Sequence, residues 1–357
     1  MKKTLLLSVL VLYSYTSRAQ SDSSSVDLKQ IEIANSSALT LLGNTAAIIT
    51  SNPAVKEFSV NTENLSKISF DYSIIFDRNK LKGLGFYGLG ESSDKFKQVS
   101  FARLLRPNLS GAVNQNDSTT TVAIGLNINI LTVFSKNKKG LVDSYNKFRG
   151  TYEEMVSLAE EEVIRQKPEL QRSSQEFRDL RDKIIDTMKV KAPEEFTEIL
   201  RKPMFTLDVA AAYSLLYPDN KFNRSQSDRL GFWSTAAFSL KMAKENYINF
   251  YAFARYLQDD AVYQKSLADY SDTFKYFDYG GKTQLDFKRL SVGYEYIKRI
   301  GDGDDHRSVG LLQYKVNDNL YLRGGFGKNF ESESGNDLMT LLGIRWGFDQ
   351  KSKLKWE

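Results

Sequence analysis

The chain has 357 residues, no cysteine, one histidine and 12% aromatic residues, with a formal net charge of +5. Without cysteine there is no disulfide scaffold, thiolate metal centre, cysteine nucleophile or lipid-bearing N-terminal cysteine. One histidine excludes a histidine-rich metal site. The charge falls to about +2 without Lys2, Lys3 and Arg18, which is no electrostatic footprint for nucleic acid.

Residues 1–19 read as a signal peptide for the general secretory pathway. Lys2 and Lys3 are the basic start, residues 5–13 the apolar stretch, and Ser17 and Ala19 the small residues before Gln20. The apolar stretch is too short to span a bilayer as a helix, and no run of 18 apolar residues follows it. The expected compartment is the envelope of a Gram-negative bacterium.

Residues 20–64 form an N-terminal segment. A Ser/Asp-rich leader (21–25) precedes a helical or mixed stretch over 28–50, which shows little alternation and could plug a barrel lumen. From Lys67 the hydrophobic period becomes two. Over 67–76, Ile68, Phe70, Tyr72, Ile74 and Phe76 share one face, and Lys67, Ser69 and Asp71 the other. Over 121–130, Val122, Ile124, Leu126 and Ile128 oppose Thr121, Ala123, Gly125 and Asn127. The pattern returns over 205–215, 229–241, 246–257, 277–287, 290–296, 310–316, 320–326 and 338–348, with a weaker case over 96–106.

These segments have the length of tilted strands crossing a hydrocarbon layer. Their polar faces are rich in Gly, Ala, Ser, Thr, Asn and charges of both signs, as a crowded lumen would be. Their apolar faces carry aromatics toward the strand ends, as interface girdles do. The expected fold is all-β: a transmembrane antiparallel barrel of about 12 strands, within 10 to 14, with a soluble β protein as the alternative. Eleven segments are visible; the twelfth is sought before Lys67 or within 79–94.

Tight connections near 243–246, 288–289 and 317–318 are expected on the periplasmic side. Outer loops then fall at 218–228, 259–272, 300–305 and 329–337. The barrel strands divide into 65–134 and 204–348, around an insert at 135–203. Of the insert's 69 residues 29 are charged. Tyr152, Met155, Val156, Ala159 and Val163 follow helical spacing, as do Phe177, Leu180, Ile184 and Met188 after Pro168. A third short helix is expected over 192–200. The reading is a periplasmic helical hairpin. Residues 349–357 form a basic tail.

The segment Ser36-Ser37-Ala38-Leu39-Thr40-Leu41-Leu42-Gly43 resembles the S-x-A-x-T-L-L-G signature of an uncharacterised family of outer-membrane barrels of the Bacteroidota. The resemblance extends to Asn52-Pro53-Ala54-Val55-Lys56-Glu57-Phe58, to a first strand over 68–76 and to a helical insertion. It implies a porin-like barrel with an N-terminal segment in or under the lumen, and implies no activity. Such barrels often end on an aromatic; here Phe348 or Trp356 would serve.

No catalytic site is expected. His306, with Asp305 and Ser308, is the one histidine-based candidate for acyl hydrolysis, and it directly follows the turn-like run Gly301-Asp302-Gly303-Asp304-Asp305. No metal and no cofactor are expected, since this loop does not match the spacing of a calcium loop. The expected lumen-lining residues are Lys67, Asp71, Asp208, Arg255, Asp278, Lys282, Asp286, Glu295, Arg323 and Arg345, with Lys288 beside them. Their mixed signs suit either a weakly selective path or a filled interior. Two functions compete: a porin-like channel for small solutes, and a non-conducting accessory barrel. The latter would dock a periplasmic or membrane protein through Tyr152, Met155, Phe177, Leu180 and Ile184. The lipid bilayer is the partner common to both.

Overall fold

The computed structural model describes residues 36–43, 45–50, 58–63, 67–73, 81–82, 89–92, 95–98, 108–133, 138–187, 202–243, 246–264, 269–317, 320–330, 338–348 and 353–354. Twelve antiparallel strands close into one barrel. They are β1 (Phe58–Glu63), β2 (Lys67–Ser73), β3 (Asn108–Gln115), β4 (Thr119–Val133), β5 (Phe205–Pro218) and β6 (Gln226–Ala243). The ring continues through β7 (Asn246–Gln264), β8 (Asp269–Phe287), β9 (Leu290–Gly301), β10 (Asp305–Lys315), β11 (Leu320–Lys328) and β12 (Leu338–Phe348). Each strand pairs with its neighbours in sequence. β1 closes the ring on β12, with Phe58 opposite Phe348 and Glu63 opposite Gly343. Closure removes the sheet edges, so every strand's main-chain groups can pair within the sheet.

The strand that completes an even ring lies before Lys67, as β1, inside what reads in sequence as the N-terminal segment. The first strand is therefore Phe58–Glu63 and not the segment at 68–76. Of the weak segment at 96–106, residues 96–98 stand outside the barrel and the rest lie outside the described residues. Lys95–Gln98 pairs with Leu89–Ser92 in a separate two-stranded sheet, and the barrel position is taken by β3. Alternation is faint in β3 because its outward residues are few: Leu109 and Val113 are exposed while Ala112 is buried. In the tail, Lys353–Leu354 pairs in parallel with Leu81–Lys82.

Side chains alternate as the period-two pattern requires. Ile68, Phe70 and Tyr72 face outward and are exposed, while Ser69 and Asp71 face inward and are buried. Ile124 and Leu342 are 64% and 69% exposed on the outer wall. An irregularity between Asn129 and Leu131 shifts the register in β4, so Thr132 rather than Val133 turns inward.

The start of β1, the end of β12 and the connections 2–3, 4–5, 6–7, 8–9 and 10–11 share one end of the barrel, an outcome of the even strand count. The turn at this end between β8 and β9 holds only Lys288 and Arg289. Lys288 adopts φ 46°, the sign that a two-residue hairpin turn demands, and is exposed there rather than on the inner wall. At the opposite end, Asp219 and Asn220 take φ 55° and 58°. Asn220 donates to Asp117 O (3.0 Å) and accepts from Thr120 Oγ1 (2.6 Å), tying this loop to the β3–β4 turn. The loop expected over 259–272 is mostly strand, because β7 runs to Gln264 and β8 begins at Asp269.

The insert contains α2 (Lys138–Gln166) and α3 (Gln175–Thr187), and it leaves the barrel at the end that carries the tight turns. Pro168 lies between α2 and α3. α3 starts at Gln175, capped by Ser174 Oγ, which accepts from Phe177 N at 3.1 Å. Met155, Ala159 and Ile185 pack in the seam between the helices. On α2, hydrogen bonds from Arg165 hold the Glu162 carboxyl below its ordinary range. Residues 1–19, read as a signal peptide, and 192–200, expected as a helix, lie outside the described residues.

The outer wall sets a test. Ile124→Lys and Leu342→Lys each lower stability in lipid vesicles by about 2–4 kcal/mol if these positions meet acyl chains near the midplane. Measured by denaturant unfolding, a change within about 0.5 kcal/mol, as at an ordinary water-facing surface, would contradict a lipid-facing wall.

Candidate functional site: a lumen crossed by residues 36–50

A twelve-stranded barrel is wider than one that side chains alone can fill and narrower than an open porin. Here the remaining space is taken by the chain itself. Residues 36–43 and 45–50 lie among the inward faces of the strands, and most of them are buried. They form a single short helix, α1 (Ser37–Leu41), followed by irregular chain. Ser36 caps α1 by accepting from Leu39 N at 3.3 Å. Gly43, at φ 72°, ends it in the left-handed conformation that favours glycine.

The two halves of the segment meet different sectors of the wall. Ala38, Leu39 and Leu42 pack with Ala112 of β3 and Ala123 of β4. Leu41 meets Ala212, Leu257 and Trp233. Ala46 and Ala47 pack with Val309, Leu311 and Leu341. Ile48 and Ile49 fill a pocket of Ala237, Tyr251, Phe253 and Ile297. The wall is hollowed to receive them. A Cβ at Gly125 would lie 2.7 Å from Ala38 N, and one at Gly325 would lie 3.0 Å from Ala46 Cβ.

Irregular main chain has no ladder partners, so wall side chains supply them. Ala38 N donates to Ser110 Oγ at 2.9 Å. Arg255 donates to Thr40 O at 3.3 Å and Arg229 to Leu42 O at 3.2 Å. Arg307 Nη2 donates to Thr45 O and Ala46 O at 2.7 and 2.8 Å. Glu295 accepts from Ile48 N at 3.2 Å and from Ile49 N at 2.7 Å.

These wall groups are themselves paired. Arg307 Nε donates to Glu295 Oε1 at 2.9 Å, both side chains being fully buried. Arg255 and Arg299 converge on Asp278 at 2.6 and 2.7 Å. The Arg299 guanidinium also lies 3.8 Å from the Phe330 ring centroid and 4.5 Å from that of Tyr276. Arg229 pairs with Asp259 at 2.8 Å.

Of the ten charged residues read from sequence as lumen-lining, nine have described side chains, and all nine are buried. Lys67 stands at an inward register position opposite Asn114, its side chain outside the described residues. Arg255, Asp278 and Glu295 belong to the network around residues 36–50. Asp71 accepts from Ser59 and Asn61, and Asp208 from Asn129 at 2.8 Å. Asp286 accepts from Asn249 at 2.7 Å and pairs with Lys202 at 3.1 Å. The Lys282 ammonium lies 4.1 Å from the Tyr251 ring centroid. Arg323 is opposite Gln313, and Arg345 opposite Asn61 and Tyr321.

Sequence reasoning missed Arg307, Arg299 and Arg229. Extending the β10 alternation back from Val309 places Arg307 inward, but the acidic run before it reads as a turn. Arg299 follows Glu295 and Ile297 on the same face. Arg229 shares the inner face with Gly231 and Trp233 by the same alternation, but as the first residue after the loop expected over 218–228 it reads as a strand end.

The other sequence candidates have structural partners. His306 stacks on Tyr296 with 5.8 Å between ring centroids, and Ser308 Oγ lies 2.7 Å from Tyr294 Oη. Asp302 accepts from Lys275 N and Asp305 from Lys328 Nζ. Met155 and Phe177, expected to dock a partner, are buried, and Leu180 and Ile184 are half-buried. The Tyr152 side chain lies outside the described residues. Among the described side chains of α2, the large apolar ones that are exposed are Leu158 and Ile164.

No protein-family model matches the chain, and no curated protein matches it. Solved structures similar to it include the KdgM porin in complex with disordered oligogalacturonate, at 8% identity and TM-score 0.34, covering 82% of this chain and 97% of that one. The outer membrane protein Omp33 of Acinetobacter baumannii follows at 12% identity and TM-score 0.33, covering 82% and 98%. The CymD monoaromatic hydrocarbon channel has 10% identity and TM-score 0.28, covering 93% and 99%. At such values the reading of this barrel rests on its own geometry.

Removing one partner of the Arg307–Glu295 pair leaves the other charge buried. Arg307→Met is therefore expected to lower stability by about 3–5 kcal/mol, and adding Glu295→Gln to recover part of that loss. Guanidinium unfolding in detergent micelles measures both. A loss below about 1 kcal/mol for the single variant would show that the pair does not hold residues 36–50.

Proposed function

We propose that the chain is a porin-like channel of the outer membrane for small solutes, shut at rest by its own residues 36–50. Supporting the membrane location is a closed sheet whose outward side chains are apolar and exposed, with aromatics near the strand ends. One observation carries the gating. The segment that fills the mid-barrel is not a strand of the ring, and side-chain hydrogen bonds and apolar contacts hold it to the wall. Such contacts can break without opening the sheet.

In this reading the end with the tight turns faces the periplasm, and the α2–α3 hairpin stands there too. The accessory-barrel reading draws on that hairpin. Its support is thinner, because Met155, Ala159 and Ile185 are used in the hairpin's own seam.

A reversible lock tests the gate. The chain has no cysteine, so Ala46→Cys with Gly325→Cys introduces a single pair. The Cβ separation of 3.0 Å is at least about half an ångström short of ordinary disulfide geometry, a shift asked of the irregular segment, which no ladder holds. In planar bilayers the reduced protein should show conductance steps at raised voltage. Oxidation should abolish them and reductant restore them. Steps indifferent to oxidation would place the path outside residues 36–50, and no steps in either state would remove the channel reading.

A further inference from the structure

We infer that the lumen left by residues 36–50 is a binding site for a peptide with aliphatic side chains. The inference rests on the channel reading above and specifies its class of solute. The wall's charged groups address main chain. The two Glu295 oxygens take the consecutive N–H groups of Ile48 and Ile49, and Arg307 Nη2 takes the consecutive carbonyls of Thr45 and Ala46. Arg255 and Arg229 add two more carbonyls, and Ser110 one more N–H.

This mixture of donors and acceptors discriminates among solutes. An anion would satisfy Arg307 but be repelled by Glu295, 2.9 Å away, and a cation would meet the reverse. A neutral sugar could bond to both, but it has no side chains for the pocket of Ala237, Tyr251, Phe253 and Ile297. A peptide supplies alternating N–H and C=O groups together with apolar side chains. Because Glu295 and Arg307 pair with each other, the site keeps its charge balance and orientation when the segment leaves. That is the pre-organisation which lowers the cost of binding.

The test uses full-length chains and three probes. The probes are a labelled synthetic peptide with the sequence of residues 36–50, the same peptide N-methylated at the Ile48 and Ile49 nitrogens, and an uncharged oligosaccharide of similar mass. One host is the chain with Ile48→Asp and Ile49→Asp, whose own segment no longer suits the apolar pocket while the wall is unchanged. The other is the Ala46→Cys/Gly325→Cys chain, which covers the case where the first host misfolds.

Fluorescence anisotropy in detergent should show the peptide binding to the aspartate host, binding more weakly to the reduced lock, whose own segment competes for the site, and not binding to the oxidised lock. N-methylation, which deletes two hydrogen bonds to a carboxylate, should weaken binding at least about tenfold. The oligosaccharide should not compete. Equal binding of the N-methylated peptide, equal competition by the sugar, or no peptide binding to either host would each overturn the inference. Peptide binding that N-methylation weakens, in a protein that never conducts, would sustain the peptide site and remove the channel reading.

Discussion

The structure depends on one constraint: main chain that is neither helix nor sheet, placed inside a barrel, must still find partners for its N–H and C=O groups. Residues 36–50 meet it by borrowing side chains from the wall. Glu295 and Arg307 are both fully buried, a placement whose desolvation cost is recovered only if every part of each charge is engaged. Their mutual bond uses some of that capacity, and the main chain of Thr45 to Ile49 uses more. The ion pair and the segment therefore stabilise each other.

The same constraint accounts for the run from Ser36 to Gly43. Ser36 caps a helix too short to stand alone, and Gly43 provides the left-handed exit from it. Between them, Ala38 is small enough to approach Gly125, Leu41 and Leu42 fill two separate pockets, and the Thr40 carbonyl meets Arg255. The cap and the exit are supplied within these eight residues, and the remaining demands are answered by groups on β3, β4, β5 and β7. A signature of small, apolar and capping residues follows directly.

Barrel width links this packing to function. With twelve strands the interior exceeds what the inward side chains can fill, and one segment of chain closes the difference. The ring is held by ladders on all sides, whereas the segment is held by about half a dozen hydrogen bonds and shallow apolar pockets. These two scales of stability allow an internal part to move while the wall stays closed. The α2–α3 hairpin packs Met155, Ala159 and Ile185 in its own seam and rises from the end where β1 starts and β12 ends.

By itself the sequence determined the alternating strands, their inward and outward faces, the charge-dense helical insert and the side of the barrel from which it leaves. Period-two patterning is local, so Ile124 and Asp278 declare their faces without knowledge of the partner strand. Only the tertiary structure decided which strands complete the ring. The six residues of β1 become a strand through pairing with β12 nearly three hundred residues away, and β3 carries too few apolar residues to declare itself. It alone revealed Arg307 as the group that holds residues 45 and 46, since that contact spans 262 residues. Local pattern tells which face a side chain takes, but closure and the filling of a shared interior depend on distances that no local period encodes.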